Sequence, residues 1–232
     1  MAERESLFER VREALRSPRE TARRDGSGPS TRLRVLPEVQ RADPRPWLPI
    51  VGATPDEWIA QFAQFCETLK TEFVRCPTER EAHERVRELA DSSAWVRVAC
   101  HGNGLASRAA GASTLPLLRV DEGYDKRELE SCSVGVTECD ALIAQTGSIL
   151  LTARSAGGRA LSVYPPHHVV VATVDQVVPD LPTAFERLES SYAPNYPSLI
   201  SLVTGPSRTG DIERVIVLGA HGPKRLTVLL IG

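Results

Sequence analysis

Leu199-Ile200-Ser201-Leu202-Val203-Thr204-Gly205-Pro206-Ser207-Arg208-Thr209-Gly210-Asp211-Ile212-Glu213 sets an apolar run against a polar turn, and a second apolar run follows from Leu226 to Ile231. Short runs of Leu, Ile and Val bounded by Gly and Pro read as buried strands. In an open α/β sheet, ligands sit outside the carboxyl ends of strands, where such a turn projects. Gly205 shapes the turn. Ser207 and Thr209 offer hydroxyl donors, and Arg208 offers a planar fork suited to carboxylate or phosphate. Asp211 and Glu213 then hold that Arg or start a helix. A capping turn with a surface ion pair reads the same residues equally well.

Upstream of this stretch, helical and strand patterns alternate. Thr54-Pro55-Asp56-Glu57 is a capping box with Pro at the first helical position, and Trp58, Phe62, Phe65 and Leu69 follow at helical spacing. Phe73-Val74 reads as a short strand, Thr78 to Leu89 as a second capped helix, and Trp95 to Cys100 as a buried strand. The turn His101-Gly102-Asn103-Gly104 comes next, a place where backbone N–H groups can meet an anion. It lacks the spacing of a dinucleotide fingerprint. Leu115 to Val120 reads as another strand and Lys126 to Cys132 as a short helical segment. Asp180 is placed to cap a helix running to Tyr192, with Leu181, Phe185 and Leu188 facing inward. The strand-like runs alternate little between apolar and polar, as expected of strands covered on both faces. The fold class is therefore α/β, a mainly parallel sheet flanked by helices.

Residues 1–45 read differently. Leu7, Val11 and Leu15 form one stripe of an amphipathic helix, and an Arg-, Pro-, Gly- and Ser-rich linker follows it. The globular domain is expected over residues 46–232.

Composition narrows the function classes. The chain has 232 residues, 41% of them hydrophobic, and a net charge of −2. Near-neutral charge argues against nucleic-acid binding by bulk electrostatics. No apolar stretch approaches the ~20 residues of a membrane-spanning helix. The five cysteines are odd in number and none is in C-x-x-C spacing, so zinc-ribbon and ferredoxin patterns are absent. Reduced thiols in a cytoplasmic protein are the expectation.

Three ordered stretches carry a resemblance. They are Gly135-Val136-Thr137-Glu138-Cys139-Asp140-Ala141-Leu142-Ile143-Ala144-Gln145-Thr146-Gly147-Ser148, then Pro165-Pro166-His167-His168-Val169, then Gly205 to Glu213 with Gly219-Ala220-His221-Gly222-Pro223. Together they resemble the lactate-utilisation protein C family, the LUD domain, over roughly residues 130 to 232 and more loosely back to about residue 30. Three positions depart from the family pattern: Gln145 stands in place of Glu, Glu138 in place of Gly or Ala, and His167 in place of an apolar residue. Gln145 is unable to serve as a base.

The resemblance implies an architecture similar to the sugar-phosphate isomerase and CoA transferase-like superfamily. It implies a subunit or accessory component in oxidation of L-lactate to pyruvate, with iron–sulfur clusters on partner proteins and no cofactor in this chain. Arg208 would hold a carboxylate, with Ser207 and Thr209 orienting it and His168 or His221 relaying a proton. Thr146, Gly147 and Ser148 would line a pocket for a small carboxylate or other anionic ligand. Metal ligation by His168 is not expected, because no second ligand stands at metal spacing. His167 and His168 point to opposite faces if the strand has begun. Two other readings stay open. One is a ligand- or partner-binding module without chemistry, and the other is a transferase or isomerase acting on a phosphorylated or CoA-linked acid.

Overall fold

The computed structural model describes residues 48–211, 215–218 and 221–232. The expected N-terminal helix and nearly all of its linker lie outside the described residues.

Helix α1, Pro55–Leu69, opens with the capping box read from sequence: Thr54 accepts from Glu57 N–H, and the Glu57 side chain accepts from Thr54 N–H. Strand β1 (Glu72–Cys76), helix α2 (Glu79–Ser92), strand β2 (Val98–Cys100), helix α3 (Leu105–Ala112), strand β3 (Leu117–Arg119), helix α4 (Lys126–Glu130) and strand β4 (Val134–Thr137) follow. The chain then builds β5 (Ala141–Ile143), β6 (Ser148–Thr152), β7 (His167–Thr173), β8 (Val177–Val178) and α5 (Leu181–Tyr192). It ends with β9 (Ile200–Val203), β10 (Arg208–Asp211), β11 (Val215–Leu218) and β12 (Arg225–Ile231).

Six strands form one parallel sheet in the order β1-β12-β7-β4-β2-β3. Alternation along β7 sends Val169 and Val171 to a core built with α2 and α3, and Val170 and Ala172 to a core built with α1. Both faces are covered, which explains why these strands read as unbroken apolar runs.

A second sheet, β8-β5-β6-β9, lies over the α1 side of the first, with Leu142, Ile149 and Leu151 entering the shared core. It is mostly antiparallel: β6 runs opposite to both β5 and β9. Helix α5 packs Ala184 and Leu188 on its far face. Phe185, expected to face inward, is 49% exposed, because Ala184 takes the inward position beside Leu188.

The 204–213 stretch departs from the expectation of a simple turn or helix start. Arg208–Asp211 is a strand paired antiparallel with Val215–Leu218. The strand leading into it, β9, belongs to the antiparallel second sheet, so the carboxyl-edge rule for open parallel sheets does not govern where its turn arrives. The turn reaches the amino edge of the central sheet, beside the starts of β7 and β12.

Candidate functional site

A cavity of about 260 Å³ opens at that amino edge. Its walls come from four separated parts of the chain. The turn after β9 supplies Thr204, Gly205 and Ser207, the start of β7 supplies His168, and the segment before β12 supplies His221, Gly222 and Pro223. Ser162 and Val163 add the remaining side. Of the residues expected from sequence, His168, Gly205, Ser207 and His221 meet here. Thr204, Ser162 and Gly222 were not singled out as site residues. Thr204 and Gly222 stand beside motif residues in the chain, whereas nothing in the sequence marks Ser162, which a loop carries in.

His168 is buried to 1% exposure, and its Nε2 lies 2.8 Å from Thr137 Oγ1. Burial, with neighbouring His167 adding to it, pushes its pKa down to about 3. The imidazole is neutral at any physiological pH, a hydrogen-bonding wall rather than a cation. His167 faces the other side of the sheet. Its Nε2 pairs with Thr227 Oγ1 at 2.9 Å and its ring meets Trp95 edge-on. The two histidines do not share a site. His221 is exposed at the cavity mouth.

Thr146 and Ser148 reach the cavity indirectly. Thr146 Oγ1 donates to Ser148 Oγ at 2.8 Å, and Ser148 Oγ lies 2.8 Å from Thr204 Oγ1. Gly147 serves the backbone: its φ is +64°, and a Cβ there would lie 2.5 Å from Phe65 Cβ on α1. Gly205 has φ +89°, with Leu69 O 3.0 Å from where its Cβ would stand.

Arg208 does not line the cavity. Its guanidinium donates to the Leu69 carbonyl at the end of α1, where a cation satisfies an unpaired carbonyl and complements the helix dipole. Thr209 and Asp211 lie in β10, and Glu213 is outside the described residues. Gln145 donates to the Pro49 carbonyl at 3.1 Å, a structural tie.

The carboxyl edge of the central sheet is occupied by the chain's own carboxylates. Asp121 Oδ1 accepts from Gly102 N–H at 2.9 Å, and Glu138 Oε1 accepts from Ala106 N–H at 3.2 Å at the start of α3. The backbone donors of the His101–Gly104 turn that an anion would use are thus partly spent.

All five cysteines are free and buried. Burial raises every thiol, that of Cys66 to about 12, so none is an activated nucleophile. Among the described residues, no group of His, Cys, Asp and Glu could hold a metal ion, and no helix is long and apolar enough to cross a membrane.

Comparison with known proteins follows the same outline. A crystal structure of a DUF162 family protein from Deinococcus radiodurans superposes with a TM-score of 0.61 at 22% identity, covering 78% of this chain and 100% of that one. That likeness is one of fold. Lactate utilization protein C of Macrococcus caseolyticus is 26% identical over 198 residues, 78% of this chain and 81% of the relative. Lactate utilization protein C of Deinococcus radiodurans is 35% identical over 119 residues, 51% of this chain and 55% of the relative. The LUD domain family model matches residues 59–231, which include every strand of the central sheet and every described wall of the cavity, and the chain belongs to the LUD domain family.

Proposed function

We propose that this protein is a lactate-utilisation component whose amino-edge cavity binds a small 2-hydroxy or 2-keto acid, while iron–sulfur partner proteins carry the electrons of L-lactate oxidation to pyruvate. The convergence of His168, Gly205, Ser207 and His221 from separated stretches on one cavity carries this reading. The names of the relatives supply the acid. Among the described residues, the lining contains no Lys, Arg, Asp or Glu. Neutral donors in a partly apolar cavity suit a monoanion better than a phosphate dianion, which needs cationic partners. This weighs against a phosphorylated substrate. At about 30 Å³ per water molecule the cavity has the space of some eight waters, enough for a three-carbon acid with room left over. We place the protein in the cytoplasm, in keeping with its free thiols.

A binding role without chemistry in this chain is favoured by one observation. His168, held neutral with a pKa of about 3, is a weak base for taking a proton from a hydroxyl. The chain then holds the acid while its partners oxidise it.

The test is lactate-dependent electron transfer in a mixture of this protein and candidate iron–sulfur partners. A Ser207→Trp variant, which fills the cavity, is expected to lower the rate at least tenfold. A rate unchanged when the protein is left out altogether would overturn the assignment.

A further inference from the structure

We propose that Thr204 is the residue that grips the ligand's carboxylate in this cavity, and that the buried Ser148 is the positioning residue that aims its hydroxyl. The inference rests on the acid-binding reading above and assigns the contact that Arg208 does not make.

Three hydroxyls stand in a row: Thr146 Oγ1 donates to Ser148 Oγ at 2.8 Å, and Ser148 Oγ is 2.8 Å from Thr204 Oγ1. A hydroxyl has one hydrogen to give. The Ser148 hydrogen therefore decides the polarity of the row. Ser148 is 4% exposed, and its hydroxyl has Thr146 and Thr204 as partners. Thr146 already donates to it. If Thr204 also donated, the Ser148 hydrogen would be buried without an acceptor, and its desolvation would go uncompensated. Ser148 therefore donates to Thr204.

Thr204 is exposed and lines the cavity, so its own hydrogen is the one left over, free to meet a ligand. A row of hydroxyls that all donate in one direction polarises its last member and strengthens that donor. The atom it recognises is an acceptor oxygen, which a carboxylate provides. The ladder register fixes the row in place, because Val203 pairs with Ile149 and so sets Thr204 opposite Ser148. The Thr-Gly-Ser stretch thus reaches the cavity through one hydrogen bond without touching the ligand.

Calorimetric titration of the full-length protein with L-lactate tests this, using Thr204→Val, Thr204→Ser, Ser148→Ala and the Ser148→Ala/Thr204→Val double variant. Thr204→Val is expected to raise Kd about tenfold and Thr204→Ser to restore it. Ser148→Ala is expected to weaken binding by about three- to tenfold in the wild-type background and to add nothing in the Thr204→Val background. A structural effect of Ser148 would persist in both backgrounds, so additive losses overturn the aiming role. Wild-type binding with an unchanged Kd in Thr204→Val overturns the grip while leaving the acid reading intact. Failure of the wild type to bind L-lactate overturns the acid reading and the contact assigned to Thr204 with it. Melting temperatures of the variants separate loss of fold from loss of contact.

Discussion

His167 and His168 leave β7 on opposite faces, and burial holds both neutral, with pKa values pushed down to about 4 and about 3. In the unfolded chain each would titrate near 6.5. Between pH 6.5 and the folded values the unfolded state binds more protons, so stability rises with pH across that window and levels off above it. Each histidine contributes a slope of about 1.4 kcal/mol per pH unit there. His167→Phe retains a ring against Trp95 and removes one titrating group. Urea melts between pH 4.5 and 7.5 should give this variant a slope about half that of the wild type below pH 6.5. Parallel curves would show that His167 is not buried neutral. Sequence alone could place two histidines at a strand start, but whether a neighbouring strand helps seal them from water depends on residues about 60 positions away, such as Leu226 and Thr227.

At the scale of elements, helix α1 supports the cavity from behind. Its Phe65 leaves no space for a side chain at Gly147, and its last carbonyl, Leu69, takes the Arg208 guanidinium. Gly147→Ala places a Cβ 2.5 Å from Phe65 Cβ at a φ of +64°. Strain and overpacking together predict a loss of about 2–4 kcal/mol, readable as a lowered urea midpoint at unchanged slope. Arg208→Ala should behave differently. It removes an exposed bond to a helix end, so stability should fall by about 0.5–1 kcal/mol while the Kd for L-lactate stays within about twofold of wild type. A hundredfold loss of L-lactate affinity in Arg208→Ala would restore the carboxylate clamp expected from the turn. The capping box of α1 was legible because its signal is local: Thr54 and Glu57 are three residues apart. The use of Arg208 was not, because its partner lies 139 residues away on an element that the turn does not announce.

For the whole molecule, topology decides which edge of the sheet opens the cavity. The parallel core was legible from unbroken runs such as Val169–Val171 and Val228–Leu230, which only a doubly covered strand tolerates. Strand order was not, because β12, last in sequence, inserts between β1 and β7. Nor was the second sheet, whose β5 and β9 are short and fully apolar or nearly so, without the alternation that marks antiparallel pairing. That sheet carries the Thr204 turn to the amino edge, and Asp121 and Glu138 occupy donors at the carboxyl edge. The two edges therefore predict different footprints for a bound acid. Hydrogen exchange of the protein with saturating L-lactate should slow in peptides covering 161–168, 202–207 and 221–226, and remain unchanged across 101–106. Glu138→Ala, which frees the start of α3, should leave that pattern and the L-lactate Kd as they are. Protection confined to 101–106, deepened by Glu138→Ala, would instead put the ligand on the α3 terminus, with Glu138 as the group it displaces.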